Sequence, residues 1–171
     1  MPIIDCGREF APSILAIFNE AIANSTALYD YQPRPPESMT GWFDVKEKRA
    51  FPVVGVVENG QLLAFGSYGT FRAWPAYKYS VEHSVYVEKS HRGRGLGKLV
   101  LAELIRRAQR QNYHCLIAGI DSANQVSIRL HQALGFTECG TIRQAGFKFG
   151  RWLDLAFYQL LLATPEHPVD G

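Results

Sequence analysis

The stretch His91-Arg92-Gly93-Arg94-Gly95-Leu96-Gly97-Lys98 constrains this 171-residue chain more than any other. Three glycines alternate within five residues. Before them Val81 to Val87 alternates as a strand, and after them about 96–111 repeats its apolar residues at helical spacing. Glycine lets a backbone approach an anion with no Cβ in the way. The N–H groups and the dipole at the start of the following helix favour phosphate oxygens. Spacing excludes two familiar phosphate loops. A Walker A loop needs glycine six residues before its lysine and Ser or Thr after it, where this chain has Arg92 and Leu99. The dinucleotide fingerprint G-x-G-x-x-G needs glycine where Lys98 stands, and no acidic residue waits at the end of a neighbouring parallel strand. What remains is R-x-x-G-x-G, met by Arg92, Gly95 and Gly97. Standing alone, a glycine trio is a tight turn with a solvated basic rim. Between a strand and a helix it points to a pyrophosphate site.

Composition excludes several other classes. The formal charge is +2, from 18 basic and 16 acidic residues, too small an excess for a general nucleic-acid binder. Arg106, Arg107 and Arg110 read as a solvated helix face. Cys6, Cys115 and Cys139 are odd in number and widely spaced, which argues against a disulfide framework or a cysteine metal site and for a reducing cytoplasm. The start carries no basic region followed by an apolar stretch. The longest apolar run, Leu155 to Ala163, is interrupted by Gln159 and falls short of the ~20 residues that span a bilayer. No metal, membrane or nucleic-acid partner is expected, and the length suits one domain over 1–171.

The apolar pattern predicts a helix over about 8–24, an irregular proline-bearing segment over 25–36, and a short helix through Met39, Trp42, Phe43 and Lys46. Strands are predicted over 52–58 and 61–72, joined at Asn59-Gly60, a strong type I′ hairpin signal. An aromatic loop follows over 73–79. Simple alternation in the next strand puts Val81, His83, Val85 and Val87 on one face and Glu82, Ser84 and Tyr86 on the other. A strand over 115–120, a helix over 124–134 closed by Gly135, and strands near 137–143 and 152–162 complete an α/β fold. A mixed, mostly antiparallel sheet with helices on both faces is expected.

With these residues in view, the glycine-rich turn resembles the acetyl-coenzyme A signature of the GNAT acetyltransferases. The resemblance extends along most of the chain. Val81-Glu82-His83-Ser84-Val85-Tyr86-Val87, Ala118-Gly119-Ile120, Asn124, Ser127-Ile128, Leu130-His131, Leu134-Gly135-Phe136 and Lys148 to Asp154 together are similar to the phosphinothricin and methionine sulfoximine N-acetyltransferase branch. That resemblance implies a GNAT fold and acetyl transfer from acetyl-coenzyme A to the α-amine of a small amino-acid analogue. It implies a pantetheine arm along Val85, Tyr86 and Val87, a pyrophosphate over Gly93, Arg94, Gly95, Leu96, Gly97 and Lys98, and further cofactor contacts from Asn124 and Ser127. It implies a homodimer.

Catalytic expectations follow from the same alignment of motifs. Glu82, just before the cofactor residues, is expected as the general base that takes a proton from the amine. His131 stands where many GNAT enzymes carry a tyrosine that protonates the leaving thiolate; imidazole can do the same, and a histidine on a helix face is as often a packing or hydrogen-bonding residue. Arg72, Ala73 and Trp74 match a substrate-contact segment, in which the guanidinium holds an oxyanion and the indole covers an apolar side chain. Glu82, His83 and Ser84 complete the expected substrate contacts; His83 is read equally as a structural histidine. Cys115 lies in an apolar strand as a buried thiol, so the transfer is expected to be direct, without an acetyl-enzyme. The alternatives are acetylation of a protein N-terminus or a polyamine, and a coenzyme A-binding sensor without catalysis.

Overall fold

At Asn59-Gly60 both residues hold positive φ, 51° and 77°, the geometry a two-residue hairpin turn requires. The computed structural model describes residues 2–170, and among them this turn joins β2 (Val53–Glu58) to β3 (Gln61–Thr70). Ahead of the hairpin come β1 (Ile3–Asp5), α1 (Ala11–Asn24) and α2 (Ser38–Lys48). After it come β4 (Ser80–Val87), α3 (Leu96–Arg110), β5 (Cys115–Asp121), α4 (Gln125–Gln132), β6 (Thr137–Lys148) and β7 (Arg151–Leu161). The seven strands form one sheet in the order β1-β2-β3-β4-β5-β7-β6. The β1–β2, β2–β3, β5–β7 and β6–β7 pairs are antiparallel, and β4–β5 is parallel. The expected mixed, mostly antiparallel α/β architecture is therefore present.

The chain divides into two compact units. One comprises residues up to Ser67 with Ser84–Glu103. Its core gathers Ile14, Ile17, Phe18 and Ala21 of α1, Met39 and Phe43 of α2, and Val53, Leu62, Phe65 and Tyr86 of the strands. Phe18 is the centre of this packing, meeting Trp42, Phe65 and Tyr86 edge-on at centroid distances of 5.7, 5.1 and 5.1 Å, the arrangement that ring quadrupoles favour. The other unit comprises Tyr68–His83 with the chain from Leu104 onward. Leu104, Ala108, Leu116, Leu153 and Ala156 are buried in it, and Tyr68 donates its hydroxyl to Gln111 Oε1 at 2.6 Å.

Three features depart from the sequence expectation. β1 is an added strand; three residues are too few to show a period, and pairing with β2 makes it a strand. β6 runs five residues past the expected 143. Thr137 to Ala145 is exposed throughout, so no apolar alternation marks it. Its ladder with β7 shifts register between Glu138 and Gly140 and again between Ile142 and Gly146, and Gln144, at φ 54°, donates its N–H to Asp154 Oδ1 at 2.8 Å. In β4, finally, the buried residues are Val81, His83 and Tyr86. Simple alternation groups His83 with Val85 and Val87, yet those two are only half-buried while Tyr86 is buried. The Tyr86 ring stacks on Phe65 at 5.3 Å.

Candidate active site

The glycine-rich turn lies in the first unit. Gly93 and Gly95 hold φ of +79° and +77°, and a Cβ built on either meets nothing within 4 Å. The turn is thus open around both glycines, with a backbone that only glycine adopts without strain. α3 begins directly after it at Leu96; the Lys98 and Leu99 N–H groups donate to the Gly95 carbonyl at 3.1 and 3.2 Å, and the first-turn N–H groups ahead of them have no intrahelical acceptor. These residues fit a pyrophosphate. Two arginines of the turn are braced by acidic residues of the same unit. Arg92 pairs with Glu20 of α1 and donates from Nε to the Val87 carbonyl at 3.3 Å, while Arg94 pairs with Glu58 at 3.4 Å. Glu88 caps the short turn ahead of the glycines, accepting from Ser90 N–H at 2.8 Å and meeting His91 Nδ1 at 2.7 Å. The expected pantetheine residues, Val85, Tyr86 and Val87, end β4. The parallel register with β5 stops earlier, at Glu82 opposite Ile117.

The second unit holds Glu82, His83, His131, Asn124, Ser127, Arg72, Ala73 and Trp74. Glu82 Oε1 stands 3.2 Å from where a Cβ of residue 119 would be. The missing side chain of Gly119 is what leaves room for the carboxylate. Burial raises the Glu82 pKa above the ordinary value, and the Arg72 charge opposes that rise in part. A carboxylate with a raised pKa is the stronger base. Arg72 lies over the Phe71 ring at 4.5 Å and donates to the Phe71 carbonyl at 3.2 Å. Trp74 is 73% exposed, ahead of a 3-10 turn over Pro75–Tyr77, so this loop offers its aromatic face to solvent rather than packing a core.

Asn124 caps α4 and accepts the Ser127 N–H at 3.1 Å, which satisfies one first-turn donor. His83 and His131 are both buried. Their Nε2 atoms are 2.9 Å apart, their rings stack at a centroid distance of 5.1 Å, and Phe136 contacts both. His131 Nδ1 donates to the Ser127 carbonyl at 2.7 Å. Burial, reinforced by His131, pushes the His83 pKa down to about 3; the Ile117 backbone opposes this more weakly. Burial lowers the His131 pKa as well.

Sequence reasoning assigned no role to Gly119, Glu20 or Glu58. Gly119 does carry a signal, because a lone glycine within a strand often marks close approach by another group. The two acidic partners carry none, since each is distant in sequence from the arginine it braces.

Comparison with known proteins agrees with this geometry. The sequence model described as the acetyltransferase (GNAT) family matches residues 15–136. The L-methionine sulfoximine/L-methionine sulfone acetyltransferase of Pseudomonas paraeruginosa is 43% identical over 161 residues, covering 94% of each chain. A solved structure from Acinetobacter baylyi ADP1 superposes with a TM-score of 0.98 at 57% identity, covering 99% of this chain and 96% of the other. A GNAT superfamily phosphinothricin acetyltransferase from Sinorhizobium meliloti, solved in complex with acetyl-coenzyme A, superposes with a TM-score of 0.93 at 33% identity, covering 98% and 91%. The chain belongs to the GNAT acetyltransferase family and is an N-acetyltransferase.

Proposed function

We propose that this enzyme acetylates the α-amine of a small amino-acid analogue, of the methionine sulfoximine, methionine sulfone or phosphinothricin kind, with acetyl-coenzyme A as donor. The observation that carries the reading is an open turn with glycines at positive φ, followed at once by a helix start and preceded on β4 by a carboxylate of raised pKa. The family model runs through residues of both compact units, which supports one catalytic domain.

Bound acetyl-coenzyme A supplies an activated acetyl carbon as its thioester. Gly93, Arg94, Gly95, Leu96 and Gly97 offer backbone N–H groups to the diphosphate, and Lys98, whose own N–H goes to the Gly95 carbonyl, offers its ammonium. Val85, Tyr86 and Val87 offer strand backbone for the pantetheine amides, and Asn124 and Ser127 offer the start of α4. Arg72 takes an oxyanion of the acceptor, and the Trp74 ring covers its apolar stem; Ala73 and Ser84 line the same segments. Glu82 removes a proton from the acceptor ammonium, directly or through water, and passes it to solvent. At the acetyl carbon a C–N bond forms as the C–S bond breaks. The nitrogen loses a second proton and the departing thiolate takes one up, so the products are an amide and free coenzyme A thiol. Cys6 is pushed up to about 12 by burial and nearby acidic groups, and the Cys115 and Cys139 thiols are raised too. None is poised as a thiolate nucleophile, which supports direct transfer.

We further propose a homodimer in the cytoplasm. Ile142, Phe147, Phe149 and Trp152 are exposed on and beside β6 and β7, a surface apolar enough to suit a second copy. The three cysteines are free thiols, and among the described residues no helix is long and apolar enough to cross a membrane. The test of substrate class is a competition assay with acetyl-coenzyme A and a mixture of amino acids, their sulfoximine, sulfone and phosphinyl analogues, and polyamines, read by mass spectrometry. Preferential N-acetylation of the analogues is expected. Preferential acetylation of a polyamine, or release of no coenzyme A, contradicts the proposal.

A further inference from the structure

His83 and His131 form a buried pair whose proton inventory can be worked out from geometry. A carbonyl oxygen only accepts, so His131 Nδ1, 2.7 Å from Ser127 O, carries a hydrogen. A neutral imidazole has one N–H, so His131 Nε2 is a bare lone pair. The 2.9 Å Nε2–Nε2 contact needs one proton between the rings, and that proton must belong to His83 Nε2. His83 Nδ1 is then a second bare lone pair. It is buried, and among the described residues it has no hydrogen-bond partner. A further proton could enter the pair only there, at a buried nitrogen beside Phe136 where the cost of burying charge is offset only weakly by the Ile117 backbone. Both nitrogens of His131 are thus occupied, one giving to a backbone carbonyl and one accepting from His83. Neither holds a proton that a leaving group could take.

We propose that His83 locks His131 in its neutral Nδ1–H tautomer, and that the pair is a positioning device tying the first turn of α4 to β4 rather than a proton donor in the reaction. The link is continuous. His83 follows Glu82 on β4, donates to His131, and His131 holds the carbonyl of Ser127, whose own N–H is capped by Asn124. The base-bearing strand and the helix turn carrying Asn124 and Ser127 are therefore held by one chain of side-chain hydrogen bonds. The expected general acid becomes a strut, and the thiolate takes its proton from solvent or from the acylated nitrogen. The positioning effect on the cofactor rests on the reading of Asn124 and Ser127 as cofactor contacts.

The tautomers are measured directly by 15N-detected NMR of the histidine rings in the wild-type protein at neutral pH, without any ligand. Hydrogen is expected on Nδ1 of His131 and on Nε2 of His83, each ring neutral. Hydrogen on Nε2 of His131, or both rings cationic with all four nitrogens protonated, overturns the proposal. Kinetics test the consequence. His83→Phe keeps a ring against Phe136 and removes the donor; His83→Gln restores an N–H. His83→Phe is expected to raise KM for acetyl-coenzyme A on the order of five- to tenfold, with kcat within about twofold, and His83→Gln is expected to recover most of the loss. A large fall in kcat at constant KM, the mark of a lost proton donor, overturns the proposal, as does a His83→Phe enzyme equal to wild type in both constants. Wild-type protein that binds no acetyl-coenzyme A contradicts the cofactor reading itself, whereas the ring tautomers are read without it.

Discussion

Glu82 and Gly119 fit against each other, with the carboxylate Oε1 3.2 Å from the position a Cβ on residue 119 would take. The same Cβ would stand 3.2 Å from Leu155 Cδ1, so it has little room to shift. Gly119→Ala should move the carboxylate by a few tenths of an ångström. Small displacements of a reacting group are costly, and kcat is expected to fall about tenfold while KM for acetyl-coenzyme A changes little. Steady-state kinetics on both substrates check this, and an unchanged kcat would show that the position of Glu82 does not matter to the reaction.

The raised pKa of Glu82 makes a pH prediction with a definite sign. The base must be ionised, so kcat/KM should fall as pH drops through the folded-state value, at a pH above the ordinary glutamate range. Linkage runs the other way for the fold. The contribution of Glu82 to stability is fully present below its unfolded value and is lost as pH rises through its folded value. Glu82→Gln should remove the acidic limb of the rate profile and lower kcat on the order of a hundredfold or more. A variant that keeps the wild-type profile would take Glu82 out of the base role.

The glycine turn separates backbone strain from steric crowding. Gly95 has φ +77° and open space around it, so Gly95→Ala adds no clash, only a left-handed alanine costing about 1–2 kcal/mol. Lower thermal stability and a raised KM for acetyl-coenzyme A are expected together. Gly41→Ala is the control: this glycine lies within α2, nothing stands within 4 Å of the added Cβ, and its φ is ordinary. There alanine should stabilise by about 0.5–1 kcal/mol and leave kinetics untouched. Thermal melts of the two variants decide the point.

Direct transfer predicts that the thiols are dispensable for chemistry. Cys115→Ala and Cys139→Ala should turn over at close to the wild-type rate, and mass spectrometry of enzyme mixed with acetyl-coenzyme A alone should find no acetylated cysteine. Cys6 is a packing residue whose Sγ lies 2.5 Å from where a Cβ on Gly55 would be. Its replacement should lower stability but spare kcat. A well-folded single variant without turnover would reinstate a covalent route.

Much of this was legible before any coordinates, and the exceptions have physical reasons. The hairpin at Asn59-Gly60, the strand–turn–helix from Val81 to Arg110 and the left-handed Gly135, at φ +90°, follow from local chemistry that the residues themselves carry. β1 and the far half of β6 do not, because their strand character comes from pairing and β6 is exposed nearly throughout. At the site, Glu82 and the glycine turn stand out by motif. The His83–His131 contact joins residues 48 apart, and no spacing rule connects them. The burial of Tyr86 comes from Phe65 and Phe18, ring partners distant in sequence that alternation along β4 does not reveal.

The most direct test of the whole account is a calorimetric titration of acetyl-coenzyme A into the folded protein, followed by addition of methionine sulfoximine with free thiol monitored. Saturable binding at one site per chain is predicted, with coenzyme A released only once the amine is present and an N-acetylated product formed in equal amount. Absence of binding heat on folded protein, or thiol release at the same rate without the amine, would contradict it.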